Sequence, residues 1–353
     1  MYHDSIILGA GASGLMLAHK YRTTDIAVID TNPKIAQKIK ISGGGKCNIT
    51  NTSVKLSNFY GDSEFVQKSL ESFSRDDLLT FLREHHVKPV IRKNQYYFCK
   101  DSADEIINIF RKTKNLYLSQ KVLEVEKKEN FILKTEGKIY ACKNLIVASG
   151  GLSYPRIGAS DIAFTIAQHF GHSIVTPKPA LVGFTVQKDQ FWFKELSGLS
   201  TVVSIKVGDK TFQDDLLFTH KGISGPVVLN ASLYWDKGEM EVDFVPELSA
   251  LRLQKVRKRE IPLPKRFLNA FLERHPLEML KSYRFAPAGN FGYSKAEATR
   301  GGVNTSEVDA NTMMSRKEEN LFFIGECLDV TGELGGYNFQ WAFSSAQNLK
   351  LRG

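Results

Sequence analysis

Ser5-Ile6-Ile7-Leu8-Gly9-Ala10-Gly11-Ala12-Ser13-Gly14, then Leu15, Leu17, Ala18 and Tyr21, then Ile26-Ala27-Val28-Ile29-Asp30: this opening stretch reads as one βαβ unit. Ser5–Leu8 is a short apolar strand, the next apolar residues carry helical spacing, and Ile26–Ile29 is a second buried strand. Between strand and helix lies Gly9-x-Gly11-x-x-Gly14. In such a turn the first glycine reverses the chain and the second lets a pyrophosphate approach the backbone. The third lets helix and strand pack closely. The helix start then offers free N–H groups and the positive end of its dipole to phosphate. Asp30, closing the second strand, is placed to accept hydrogen bonds from a ribose diol. A structural glycine turn needs none of these partners in register. Strand, helix and acid together predict a bound adenine dinucleotide.

Working outward, the choice of dinucleotide rests on the far end of the chain. Leu321–Ile324 reads as a strand and is followed by Gly325-Glu326 and Asp329. FAD carries a long ribityl chain, and Asp329 is the candidate carboxylate for its hydroxyls; the alternative is a surface-loop acid. A helix expected from about Phe339 to Leu349 would aim its N-terminus at the flavin pyrimidine edge, where charge collects on reduction. Ser42-Gly43-Gly44-Gly45-Lys46-Cys47 is not a phosphate-binding P-loop, because Lys40 and Cys47 stand where glycine and Ser or Thr are required. Three successive glycines are costly to order, which favours a flavin-lining loop over a surface turn.

The remaining chain divides by pattern. Residues 64–115 look mostly helical and charged, and Val122–Val125, Phe131–Leu133 and Leu145–Ala148 read as strands, the last ending in Ser149-Gly150-Gly151. From about Gly183 to Val245 apolar and polar residues alternate, as in Val203, Ile205 and Val207 against Ser204 and Lys206. That is a half-buried antiparallel signature. Residues 247–285 switch to helical spacing broken by Pro262, Pro264 and Pro276.

At 353 residues the chain suggests about two domains. With 42% apolar and 24% charged residues it is neither a disordered tail, a collagen-like repeat nor a disulfide-stapled miniprotein. No apolar run approaches the roughly 20 residues of a membrane span, and no secretory signal is visible, so a cytoplasmic protein without a membrane partner is expected. Cys47, Cys99, Cys142 and Cys327 form no CxxC pair, so neither a metal site nor a redox disulfide is expected. The paired His85 and His86 have no ligand-spaced neighbours and read as solvated.

The net charge of +9 favours anionic partners in general. Arg252, Lys255, Arg257, Lys258, Arg259, Lys265 and Arg266 crowd one segment against a single acid, Glu260. This raises an RNA-associated alternative. Leu248, Leu251, Leu253 and Val256 are interspersed and no aromatic residue accompanies them, so a solvated face is preferred and no stable nucleic-acid partner is expected.

Five motifs occur in order: Gly9–Gly14; Ile41-Ser42-Gly43-Gly44-Gly45-Lys46-Cys47-Asn48; Ala148-Ser149-Gly150-Gly151; Phe218 to Pro226; and Gly325-Glu326 through Asp329, Gly332 and Gly335 to Asn338. Together they resemble the BaiN/YhiN-like FAD-dependent oxidoreductases, a family that includes a bile-acid-pathway reductase and an aminoacetone oxidase. The resemblance implies an α/β fold: a Rossmann-type FAD-binding domain with an inserted antiparallel β-rich domain and a small helical region. The corresponding bounds are 1–183 with 300–353 for the FAD domain and 184–299 for the insert, β-rich over 184–246 and helical over 247–290.

Carried over residue by residue, the resemblance implies that Gly9, Gly11, Ala12, Ser13 and Gly14 hold the pyrophosphate and Asp30 the adenosine ribose. Ser42, Gly43, Gly44, Gly45 and Lys46 would run along the flavin, and Val122 would lie near adenine. Ser149 and Gly150 would close over the dinucleotide. Gly325, Glu326 and Asp329 would serve the ribityl side, with Gly336, Tyr337 and Asn338 bordering the isoalloxazine. Asp30 replaces a more usual glutamate and Ser149 a more usual threonine, and both keep the needed oxygen.

Gly222-Ile223-Ser224-Gly225-Pro226 fails the G-x-S-x-G pattern at Pro226, so Ser224 is not read as a nucleophile. His220 is a candidate proton donor, histidine being the usual side chain for that role, and Tyr337 is a second candidate or else a flavin wall. The expected activity is NAD(P)H-driven hydride reduction of a small organic substrate. An amine or alcohol oxidase is the alternative. Only one full GxGxxG is present, so NAD(P)H would visit transiently.

Overall fold

Strand β1 (Tyr2–Leu8) is buried along most of its length, as a strand covered by helices on both faces must be. The computed structural model describes residues 1–351. After β1 come helix α1 (Ala12–Lys20), strand β2 (Ile26–Ile29) and helix α2 (Gln37–Gly45). Further along lie β3 (Leu116–Tyr117), β4 (Val122–Lys127), β5 (Phe131–Thr135) and β6 (Ile139–Val147). Strand β7 (Leu321–Phe323) and helix α3 (Tyr337–Asn348) complete the set from the far end of the chain.

These strands form one sheet. β1 pairs in parallel with β2 and with β6, and β2 pairs in parallel with β3. The other edge of β6 is shared. Its first half, Ile139–Cys142, pairs antiparallel with β5, while Leu145–Val147 pairs in parallel with β7. The Rossmann-type sheet is therefore built from both ends of the chain, and the parallel strands end together at Gly9, Ser149 and Gly325. That is where an open parallel sheet binds its ligand.

α3 packs on α1 and its C-terminus is tied down by Lys20, whose Nζ donates to the carbonyls of Gln347 (2.6 Å) and Leu349 (2.7 Å). This satisfies carbonyls the helix leaves free and sets a cation at the negative end of its dipole. α3 starts two residues before the expected Phe339, because Gly336 at φ 90° provides the left-handed entry.

The stretch 64–115 is less helical than its composition suggests. Helices Ser63–Ser72, Arg75–Glu84 and Asp104–Phe110 are interrupted by a hairpin, Val90–Arg92 with Tyr96–Phe98, which extends strand Asn48–Asn51. Lys93 and Asn94 take positive φ (48° and 56°), the backbone of a tight turn, hidden among charged residues. Of the two histidines read as solvated, His86 is exposed but His85 is half-buried, its ring tilted against Phe81 and edge-on to His19 with centroids 4.4 and 4.9 Å away.

Two compact units result. One comprises Met1–Lys178 and the chain from Ala298 onward; the other is Pro179–Glu297. Strands Ile174–Ala180 and Ala298–Val303, where the chain leaves and returns, pair with each other. Within the second unit an antiparallel sheet is centred on Ser200–Val207 and Lys210–Thr219, and Val203, Ile205 and Val207 are buried on its inner face. Its core is aromatic, with Phe193, Phe218, Phe244, Phe267, Phe271 and Tyr283 in mutual ring contact. The β-rich stretch also holds a helix, Pro226–Tyr234, where Pro226 takes the N-terminal position it tolerates best. No helix among the described residues is long and apolar enough to cross a membrane.

Candidate functional site

The three glycines after β1 have three different surroundings. Gly9 adopts φ +117°, and a Cβ there would lie 2.5 Å from the Ala148 carbonyl oxygen. A Cβ on Gly14 would come within 1.9 Å of the Gly9 carbonyl oxygen, so helix and strand touch through it. A Cβ on Gly11 would meet nothing within 4 Å. Tight turn, close packing and open cradle are thus separable. No side chain caps α1 at Gly11, which leaves the first-turn N–H groups for an anion. Asp30 accepts from the Ala10 N–H through Oδ2 (2.6 Å) and from the Asn32 N–H through Oδ1 (2.7 Å). Two backbone donors fix the carboxylate and leave lone pairs for a diol.

Other elements converge on this turn. A Cβ on Gly325 would approach Ser13 Oγ to 2.5 Å, and one on Gly150 would find Glu326 Oε2 at 3.9 Å. Glu326 is held twice, accepting from the Thr299 N–H through Oε1 (2.9 Å) and pairing with Lys38 Nζ through Oε2 (2.6 Å). Gly325 is fixed by α3, whose Trp341 indole donates to its carbonyl (3.0 Å) and whose Ser345 Oγ accepts its N–H (3.0 Å).

Buried polar atoms nearly always have partners, and among the described residues of this unit five do not: Asn48 Oδ1, Asn144 Oδ1, Ser149 Oγ, His172 Nδ1 and Asp329 Oδ1. Burial pushes the Asp329 carboxyl above the ordinary range, while the Arg300 guanidinium pulls the other way. Arg300 itself is buried and lies over the Tyr60 ring at 4.9 Å. An open pyrophosphate cradle, an anchored ribose acid and orphaned atoms at Ser149 and Asp329 fit FAD. Gly11 with the start of α1 would hold its phosphates, Asp30 its adenosine ribose and Asp329 its ribityl hydroxyls.

The other expected residues are placed as follows. Ser42, Gly43 and Gly44 form the distorted end of α2 rather than a free loop, because Gly43 and Gly44 turn left-handed (φ 55° and 66°). Gly45 closes α2 and Lys46 caps it, and Cys47 is buried with its thiol pushed up to about 12 by desolvation. Val122 opens β4 two residues after Gln120, whose N–H donates to the Asp30 carbonyl (2.9 Å). Asn338 does not have a free amide. It grips the loop before α3, accepting from the Gly332 N–H (2.9 Å) and donating to the Gly332 carbonyl (2.8 Å).

The Tyr337 hydroxyl donates to the Ser53 carbonyl (3.2 Å), and burial raises its pKa far above the usual phenol value. Such a group suits a wall better than an acid. His220 is exposed in the turn between Lys210–Thr219 and Gly222–Ser224 of the inserted unit. Three residues were not anticipated: Lys38, Asn48 and Arg300. Arg300 precedes Gly301-Gly302, a readable mark of close backbone approach. Lys38 carries no local signal, since its partner lies 288 residues away.

A family model described as the HI0933-like protein Rossmann domain matches residues 3–349. A Haemophilus influenzae protein named ribosomal RNA dihydrouridine synthase is 35% identical over 393 residues, covering 99% of this chain and 98% of its own length. A Clostridium scindens protein named 3-dehydro-bile acid delta(4,6)-reductase is 26% identical, covering 96% of each chain. Among solved structures, the 3-ketosteroid-delta4-(5alpha)-dehydrogenase of Rhodococcus jostii RHA1 superposes with a TM-score of 0.52 at 12% identity. The alignment covers 98% of this chain and 96% of that one, and the likeness is one of fold.

Proposed function

The chain belongs to the HI0933-like Rossmann-domain family and is an FAD-dependent oxidoreductase; from that premise we propose that it uses NAD(P)H to reduce the C5=C6 bond of a uridine in ribosomal RNA. The observation carrying this reading is the end-to-end relative, about a third identical, whose name says that it makes dihydrouridine in ribosomal RNA. The Clostridium relative's name describes another carbon–carbon double-bond reduction, so the shared chemistry is hydride addition to an unsaturated carbon. In uracil the C4 carbonyl polarises C5=C6, so hydride adds at C6 and a proton at C5. Overall, NAD(P)H, a proton and uridine give NAD(P)⁺ and 5,6-dihydrouridine.

Bound FAD supplies the hydride-transfer centre. The chain's own residues would orient it, Gly11 and Asp30 at the adenosine half and Asp329 at the ribityl, with Glu326 fixed beside that end by Lys38. Of the two candidate proton donors, His220 has the freer side chain, since the Tyr337 hydroxyl is engaged by Ser53. A cytoplasmic location suits a ribosomal substrate and four buried, unpaired thiols.

The test is anaerobic. Purified holoprotein is mixed with NADPH and then with ribosomal RNA transcribed without modification, and nuclease digests are weighed. We expect the flavin band to bleach and one uridine to gain the mass of two hydrogens. Bleaching with no such gain, but with turnover of a conjugated steroid ketone, would move the assignment to a small-molecule reductase. A flavin that NADPH leaves oxidised would move it to a substrate-reduced oxidase.

A further inference from the structure

Within the inserted unit, most of the basic residues in one segment stand apart from the others. Lys281 pairs with Asp243 (2.5 Å), Arg284 with Glu241 (2.8 Å) and Arg274 with Glu273 (3.2 Å). Arg252, Lys255, Arg257, Lys258, Arg259 and Lys265 are all exposed, and among the described residues none forms an ion pair. The one acid in the run, Glu260, is turned to the backbone and accepts from the Arg257 N–H (3.2 Å). Arg266 is also committed, donating to the Glu195 carbonyl.

The segment is nonetheless fixed. Leu248, Leu253, Ile261 and Leu263 are buried in the aromatic core, and Ser249 Oγ caps the short helix Ala250–Leu253 by accepting the Arg252 N–H (3.3 Å). Apolar anchors thus alternate with outward cations. A run of like charge without counter-ions raises the free energy of the isolated surface, and a polyanion lowers it by releasing its own condensed counter-ions. No aromatic side chain lies between Arg252 and Arg266, so the surface matches phosphates rather than bases.

We propose that these six cations are the face on which the inserted unit docks the phosphate backbone of ribosomal RNA, independently of base sequence. The inference rests on the RNA reading above and adds where the RNA is held. Arg257→Glu/Lys258→Glu/Arg259→Glu is compared with the wild type and with Lys188→Glu/Lys237→Glu/Lys295→Glu, an equal charge change at exposed lysines elsewhere in the unit. Binding of unmodified ribosomal RNA transcript is measured across salt concentrations, and retained flavin absorbance reports folding. Arg257→Gln/Lys258→Gln/Arg259→Gln serves if the glutamate set loses its flavin.

The first set should bind about 100-fold more weakly near 0.1 M salt, with a log–log salt slope shallower by about 3, while the control set stays close to wild type. Equal losses in both triple variants would overturn the proposal, since net charge would then suffice. So would tighter binding of the wild type to phosphatidylglycerol vesicles than to RNA. Wild type that makes dihydrouridine and binds RNA no better than the first set would overturn the docking face and leave the RNA reading standing. Wild type that neither binds nor modifies RNA would remove both.

Discussion

Gly11 and Gly14 show how one motif separates binding from folding. A side chain at Gly11 projects into space that only a ligand fills, whereas one at Gly14 collides with the Gly9 carbonyl, which belongs to the rigid turn. Gly11→Val should therefore unfold at the wild-type temperature when both are stripped of cofactor, yet purify without yellow colour. Gly14→Val should lose about 3 kcal/mol or more and become insoluble or melt early. Thermal melts of the apoproteins with flavin absorbance check both. A Gly11→Val protein that stays yellow would displace the pyrophosphate from this turn. This contrast was legible in the sequence, because the three roles follow from local backbone sterics. The orphaned oxygens of Ser149 and Asp329 were not, since a missing partner is visible only once every neighbour is in place.

At the scale of elements, the loop before α3 is held by Asn51 at the Gly335 carbonyl (3.3 Å), by Asn58 at the Glu333 carboxylate (3.0 Å) and, at both backbone groups of Gly332, by Asn338. Asn338 bonds both the N–H and the carbonyl of Gly332, so the start of α3 and the loop 332–336 move as one piece. Removing two such bonds should cost about 2 kcal/mol locally. In Asn338→Ala, amide hydrogens of residues 332–338 should exchange faster while those of β1 and β6 keep their protection, and FAD should dissociate more readily. Unchanged exchange across the loop would show that the amide holds nothing. The sequence placed a glycine-rich turn and a helix here and assigned Asn338 to the flavin. In the structure its amide bonds the Gly332 backbone, because a half-buried amide takes the partners its own turn presents.

Across the whole molecule, burial sets a pH limit. Desolvation lowers the pKa values of His19 and His172 in the first unit and His275 in the second, so the fold disfavours their protonated forms. Ser315 Oγ already accepts the N–H groups of Lys317 and Glu318, so its hydroxyl proton goes to His172 Nε2 (2.6 Å). That leaves His172 Nδ1 protonated, 3.5 Å from the Glu307 carboxylate but without a hydrogen bond to it, while Lys317 pairs with the other carboxylate oxygen. A lowered folded value means the stabilisation is complete above the ordinary 6.5 and is lost as pH falls through the folded values. The unfolding midpoint should drop between pH 7 and 5, and His172→Asn should flatten part of that drop. Equal slopes would clear His172 of the effect.

The same scale divides what each level of description decided. The βαβ start, the dinucleotide turn with Asp30, the alternating strands of the insert and the charge run from Arg252 to Arg266 were fixed by sequence alone. Periodicity, glycine sterics and charge act over a few neighbouring residues. The hairpin at 90–98, the Lys38–Glu326 pair, Arg300 beside Asp329 and the absence, among the described residues, of counter-ions to the basic run were decided only by tertiary structure. A polar group's worth depends on which distant segment desolvates it and which charge arrives with that segment.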